Sequence, residues 1–263
     1  MPISLTNFSD GMLCHGSSWT IGSIRELARQ VGQVALGQSR HVAKILAGVN
    51  VAPPPTSKSM RAAAIRLLTV APGTDPWQRD GWIFQTISWL VANQTNPSAL
   101  IRAPHMILSH KGFDGLQLDL DMASGTVTAA VIFEDKATDN PRQTVQKEVW
   151  PDFKLLESGD RENVLSSEVS SLLITQPGID SDRAIENVIW KQVRRYRLSV
   201  TVEAKYTSPD GRKRLFKGYD EVAPGEVSRR RAEILQVDQL RPWMAALAAE
   251  AIASLNATVV THV

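Results

Sequence analysis

Residues 112–138 read GFDGLQLDLDMASGTVTAAVIFEDKAT. Leu116, Leu118 and Leu120 alternate with Gln117, Asp119 and Asp121, the period of two that a half-buried strand imposes. The run from Val127 to Phe133 is small or apolar and rich in β-branched residues, as expected of a strand covered on both faces. Between them, Met122-Ala123-Ser124-Gly125-Thr126 predicts a hairpin. Its three-residue loop, Ala123-Ser124-Gly125, ends on a glycine that can take the left-handed conformation. Counting back from that loop sets Leu120 opposite Thr128, Leu118 opposite Ala130, Leu116 opposite Ile132 and Asp114 opposite Glu134. Directly opposed residues share a face with side chains about 5 Å apart. Lys136, two residues beyond Glu134, falls on that face too. Two carboxylates and an ammonium are therefore expected to meet where the strand pair opens. A slip of one residue would send Glu134 and Lys136 to the other side of the sheet from Asp114.

Hydrolysis of a phosphodiester needs these residue types together. Asp114 and Glu134 suit a hard divalent ion, Mg²⁺ or Mn²⁺, which prefers carboxylates and keeps several waters. Lys136 beside them would orient the attacking water or stabilise the developing negative charge. The backbone carbonyl of Asp135 is a further candidate ligand, because its side chain should point away from the cluster. The alternative reading makes Glu134-Asp135-Lys136 a solvated strand end and Asp114, between Gly112 and Gly115, a turn residue. Asp119 and Asp121, the rival carboxylates, fall on the opposite face in this register.

Asp114 followed by Glu134-Asp135-Lys136 resembles the PD-(D/E)xK superfamily of restriction-endonuclease-like nucleases, over about residues 78–175. Phe113 stands where that superfamily usually has proline. The resemblance implies an α/β fold, a restriction-endonuclease-like mixed sheet flanked by helices. It implies a metal-dependent endonuclease acting on DNA, with Asp114, Glu134 and Lys136 as the catalytic set. Many members also carry an acidic residue on the helix before the hairpin. The helix predicted over 78–93 offers Gln85 and Asp80 but no glutamate, so Gln85 is the candidate for that third core position. Small nucleases of this core without a motor of their own are similar to effectors of bacterial antiphage systems, which implies a helicase or sensor protein as partner. A catalytically inactive, nuclease-like DNA-binding or assembly subunit is the competing class.

Composition bounds the rest. A chain of 263 residues, 43% hydrophobic and 21% charged, can bury a large core. No apolar run is long enough to span a bilayer, so no membrane association is expected. The start, Met1-Pro2-Ile3-Ser4-Leu5, lacks a basic region followed by an apolar stretch, so no signal peptide is expected. The single cysteine, Cys14, rules out an internal disulfide and suits a reducing cytoplasm. The net charge of +2 hides an asymmetry. Between Arg183 and Arg231 there are 13 Lys plus Arg against 6 Asp plus Glu, a net of +7. Such a block, which includes Lys191, Arg194, Arg195 and Arg197, is the footprint expected of a phosphate-binding surface, or of a solvated face.

Three segments are expected: a helical N-terminal region over 1–72, a nuclease core over 73–180, and a basic C-terminal region over 181–263, packed together as one unit. Helical spacing marks 23–47, 60–70, 78–93, 144–155 and 161–173, and Pro53-Pro54-Pro55 marks a rigid loop. A strand is expected over 100–109, with His105 and His110 as structural residues. Ser208-Pro209-Asp210-Gly211 predicts a turn joining strands over 199–204 and 215–219. That hairpin would present Arg212, Lys213 and Arg214 to a nucleic-acid backbone. Residues 226–253, rich in Ala and Leu, are expected to be helical with an interruption near Pro242. GMLCHGSS, residues 11–18, has the glycine spacing of a phosphate loop but not its lysine.

Overall fold

The computed structural model describes residues 1–108, 112–174, 176, 178–189 and 193–257. Ser109, His110 and Lys191 lie outside the described residues. The chain opens on an antiparallel hairpin, β1 (Ile3–Ser9) and β2 (His15–Ile21), where a helical region was expected. The glycines of residues 11–18 serve that hairpin. Gly11 takes φ 68° in the turn, and a Cβ on Gly16 would lie 1.6 Å from the Ala232 carbonyl oxygen, so only glycine allows the backbones to approach there.

The helix expected over 23–47 is divided into α1 (Ile24–Ala35), capped by the Ser23 side chain, and α2 (Ser39–Leu46). Gly37, at φ 77°, turns the chain between them. After the prolines come α3 (Lys58–Leu68) and α4 (Trp77–Thr95). Trp82, Ile83, Phe84, Ile87, Trp89 and Leu90 of α4 are buried, which makes it a core helix. Of the strand expected over 100–109, only β3 (Leu100–Ile101) forms among the described residues.

β4 (Gly115–Asp121) and β5 (Thr126–Lys136) make the expected hairpin. Its loop is one residue longer than predicted, because the Asp121 carboxylate accepts hydrogen bonds from the amides of Ala123 and Ser124 and sets Asp121 opposite Thr126. Leu120 therefore faces Val127 and not Thr128. A β-bulge between Asp119 and Leu120 then restores the count, with Leu118 opposite Ala130 and Leu116 opposite Ile132.

A helical run follows as α5 (Pro141–Thr144), a π turn (Val145–Val149) and α6 (Trp150–Ser158). Pro151, early in α6, has no N–H to give to the preceding turn, which accounts for the wider winding there. Next come α7 (Glu162–Leu173), α8 (Ser181–Ile189) and β6 (Arg194–Val202). Of the expected C-terminal β-hairpin, the first strand forms as the end of β6, and the turn and second strand are replaced by helices α9 (Pro209–Phe216) and α10 (Tyr219–Val222). Ser208 caps α9 by accepting from the Gly211 amide, and Pro209 occupies the first turn. These are start signals for a helix as much as signals for a turn. Residues 226–253 hold a strand, β7 (Arg230–Gln236), before α11 (Leu240–Ala257). Pro242 sits in the first turn of α11, where no N–H is needed.

The seven strands form one mixed sheet in the order β1-β2-β7-β6-β5-β4-β3. β2, β7, β6 and β5 run parallel, and the two ends are antiparallel. Leu116, Ile132, Leu198, Val200 and Ile234 face a core shared with α6, α7, α8 and α10. Trp19 and Leu235 face one shared with α1, α3, α4 and α11. The molecule is thus an α/β protein with helices on both faces of the sheet. No helix among the described residues is long and apolar enough to cross a membrane.

Candidate active site

β4 begins opposite Phe133 while β5 runs on to Lys136. The last residues of β5 therefore have β6 on one side and, on the other, the segment that leads into β4. Gly115 allows this closeness, since a Cβ there would meet the Phe133 ring at 2.6 Å. Arg102 fastens the incoming segment, donating to the Phe113 carbonyl and pairing with Glu168. Asp114 is held by two donors: Gln85 Nε2 of α4 to Oδ1 at 2.5 Å, and the Asp135 amide to Oδ2 at 2.8 Å. An extended residue sends its N–H and C=O to the same side, so the Asp135 carbonyl is directed to that edge as well. Lys136 Nζ lies 3.1 Å from Glu134 Oε2. The Asp135 carboxyl turns to the α4 face, among Ser88, Ser199 and Arg197.

Burial dominates the electrostatics. It pushes the Asp114 carboxyl upward, against Lys136, the Asp135 amide, Gln85 and a hydrogen bond with Glu134. Burial and then the Asp114 charge raise Glu134 to about 8, with Lys136 opposing. Burial disfavours the Lys136 ammonium, but Glu134 and Asp114 outweigh it and hold the amine above its usual range. Burial likewise raises Asp135 to about 7, with Arg197 opposing. Two carboxyls crowded into one desolvated site compete for a proton, and a cation relieves that competition. Among the described residues no three His, Cys, Asp or Glu side chains gather to hold a metal. The available donors are two carboxylates and one carbonyl, a set that fits a hydrated Mg²⁺ or Mn²⁺.

No family model, curated protein or solved structure matches this chain.

Two acidic residues near the cluster escape the sequence reading. Asp152 bears on Glu134, and Glu148 on Lys136. Their i, i+4 spacing in a helical run was the available signal. Asp80, the acidic residue on α4, is buried and held by Arg79 at 2.6 Å and by Arg241 of α11 at 2.7 Å, a tie between helices. Beside Asp114 a cleft of about 380 Å³ opens, lined by Trp77, Trp82, Gln85, His105, Phe113 and Asp114, among others.

Part of the basic block turns inward. Arg194 is buried and donates to the carbonyls of Leu156, Val188 and Ile189. Arg230 is buried and donates to those of Met12, Leu13, Ala223 and Gly225. Arg197 lies 4.5 Å over the Phe133 ring, with Glu233 3.9 Å away. Arg212 is buried in a pair with Asp10 at 2.9 Å. Of the predicted basic tip, Lys213 and Arg214 are exposed and Arg212 faces the interior.

Proposed function

We propose that this protein is a metal-dependent endonuclease that hydrolyses DNA phosphodiester bonds on a restriction-endonuclease-like core. The supporting observation is the convergence of Asp114, Glu134 and Lys136 at the open end of the β4–β5 pair, with Gln85 bonded to Asp114. Asp114, Glu134 and the Asp135 carbonyl would hold the ion, Mg²⁺ or Mn²⁺. A divalent ion bound there would polarise the phosphoryl oxygen and lower the pKa of a bound water. Lys136, its amine held above its usual range by its acidic neighbours, would stabilise negative charge building on the phosphate. Gln85 fixes the orientation of the Asp114 carboxylate.

A plasmid-nicking assay with Mg²⁺ or Mn²⁺ tests this. Glu134→Ala and Lys136→Ala are each expected to slow cleavage by at least about 10²-fold, the scale of losing one charge-stabilising group. Gln85→Ala, which removes only the support of a ligand, should cost about 10- to 100-fold. A wild-type protein that binds DNA but never cuts it would favour the second reading, a nuclease-like binding or assembly subunit. That no group of three acidic, His or Cys side chains gathers as metal ligands among the described residues supports that alternative. An antiphage effector role, with a helicase or sensor as partner, follows from the family resemblance alone.

A further inference from the structure

The cleft beside Asp114 continues into a second one of about 520 Å³, and the two share Trp77, Gln78 and Leu108. Together they form a trough along the first half of α4, from Asp114 to the loop that precedes the helix. Trp77, in the first turn of α4, is 66% exposed at the junction, and Ile107 on the same margin is 72% exposed. Leaving an indole in water forfeits the burial that drives folding. The trough is poor in free positive charge. Arg79, the one cation among its described lining residues, is bound to Asp80. A phosphate backbone therefore finds little to grip here, whereas the flat face of a nucleobase finds an indole.

We propose that the strand cut at Asp114 is unpaired, and that one of its bases stacks on Trp77. In a duplex the faces of the bases are covered by their neighbours and only the edges are open. A base can lay its face on the indole in this trough only if its strand is single, frayed or flapped. Stacking of this kind tolerates any base, because every base has a π face. The inference rests on the nuclease reading for its position but not for its readout.

Binding is measured by fluorescence anisotropy without divalent metal, using a fluorescein-labelled oligothymidylate and a blunt duplex of equal length. Wild type is expected to prefer the single strand. Trp77→Ala should weaken that binding by at least about fivefold, the low end of base–aromatic stacking, and leave duplex binding unchanged. Trp77→Phe should keep most of the affinity, and thermal melts of both variants check folding. The factor lost should be the same at low and high salt, unlike loss of a phosphate contact. Equal affinity for both probes, or wild-type binding by Trp77→Ala, overturns the inference. Cleavage with Mn²⁺ separates the two claims. Duplex cutting that ignores Trp77→Ala sinks the unpaired-strand inference and leaves the nuclease standing. Trp77-dependent binding with no cleavage of any DNA sinks the nuclease and leaves the strand-binding trough.

Discussion

The carboxyl of Glu134 carries a proton-linked consequence. Its pKa in the folded chain, about 8, stands above the ordinary 4.5. A group raised by folding contributes stability that is fully present below its unfolded pKa and is lost as pH rises through the folded value. The metal-free protein should therefore lose stability between about pH 5 and about pH 8, and Asp135, raised to about 7, acts in the same direction. A divalent ion takes the deprotonated form, so the rise in melting temperature on adding Mn²⁺ should grow over that window. Glu134→Gln should flatten the metal effect and lessen the metal-free trend in thermal melts, with Asp135 keeping the remainder, and a metal effect that shrinks with rising pH would count against the site. At this scale the sequence is readable where neighbours are local. Asp114, Glu134 and Lys136 are related by strand counting. The pairing of Arg212 with Asp10 crosses 202 positions, and nothing near Arg212 announces it.

Elements obey their local signals until a neighbour overrules them. The β4–β5 register held at the site end because a loop longer by one residue and a β-bulge displace the pairing in opposite senses. Alternation alone cannot reveal such a cancellation. β7 was hidden for a different reason: it begins Arg230-Arg231-Ala232-Glu233 and leads into an Ala-rich helix, yet the slot between β2 and β6 makes it a strand. Tertiary pairing routinely outweighs intrinsic preference in this way. That slot is demanding. Gly16→Ala would drive a methyl group into the Ala232 carbonyl and should destabilise the protein by about 3 kcal/mol, the upper end of ordinary overpacking costs. Chemical denaturation measures it, and a change below about 1 kcal/mol would mean that the β2–β7 contact yields readily.

For the whole molecule, one sheet takes strands from all three segments expected from the sequence. β1 and β2 come from the first, β3 to β5 from the second, and β6 and β7 from the third. Unfolding by urea should accordingly give one transition, with far-UV circular dichroism and tryptophan fluorescence superimposing. Trp150 reports from one core and Trp19 and Trp243 from the other. Two resolved transitions would show a segment that stands alone. The charge asymmetry also changes meaning at this scale, since four of the thirteen cations between Arg183 and Arg231 (Arg194, Arg197, Arg212 and Arg230) are buried. Composition records charge without recording direction, which is why a basic block could pass for a surface.

The insertion of β7 between β2 and β6 also imposes a schedule. Ser17 and Glu233, hydrogen-bonded across that junction, are 216 positions apart. During synthesis the opening hairpin leaves the ribosome long before the strand on which it must dock, and β6 waits with one side bare. A polypeptide released early, short of Arg230, has nothing to close either edge. Synthesis of β7 then becomes the last condition for a finished sheet.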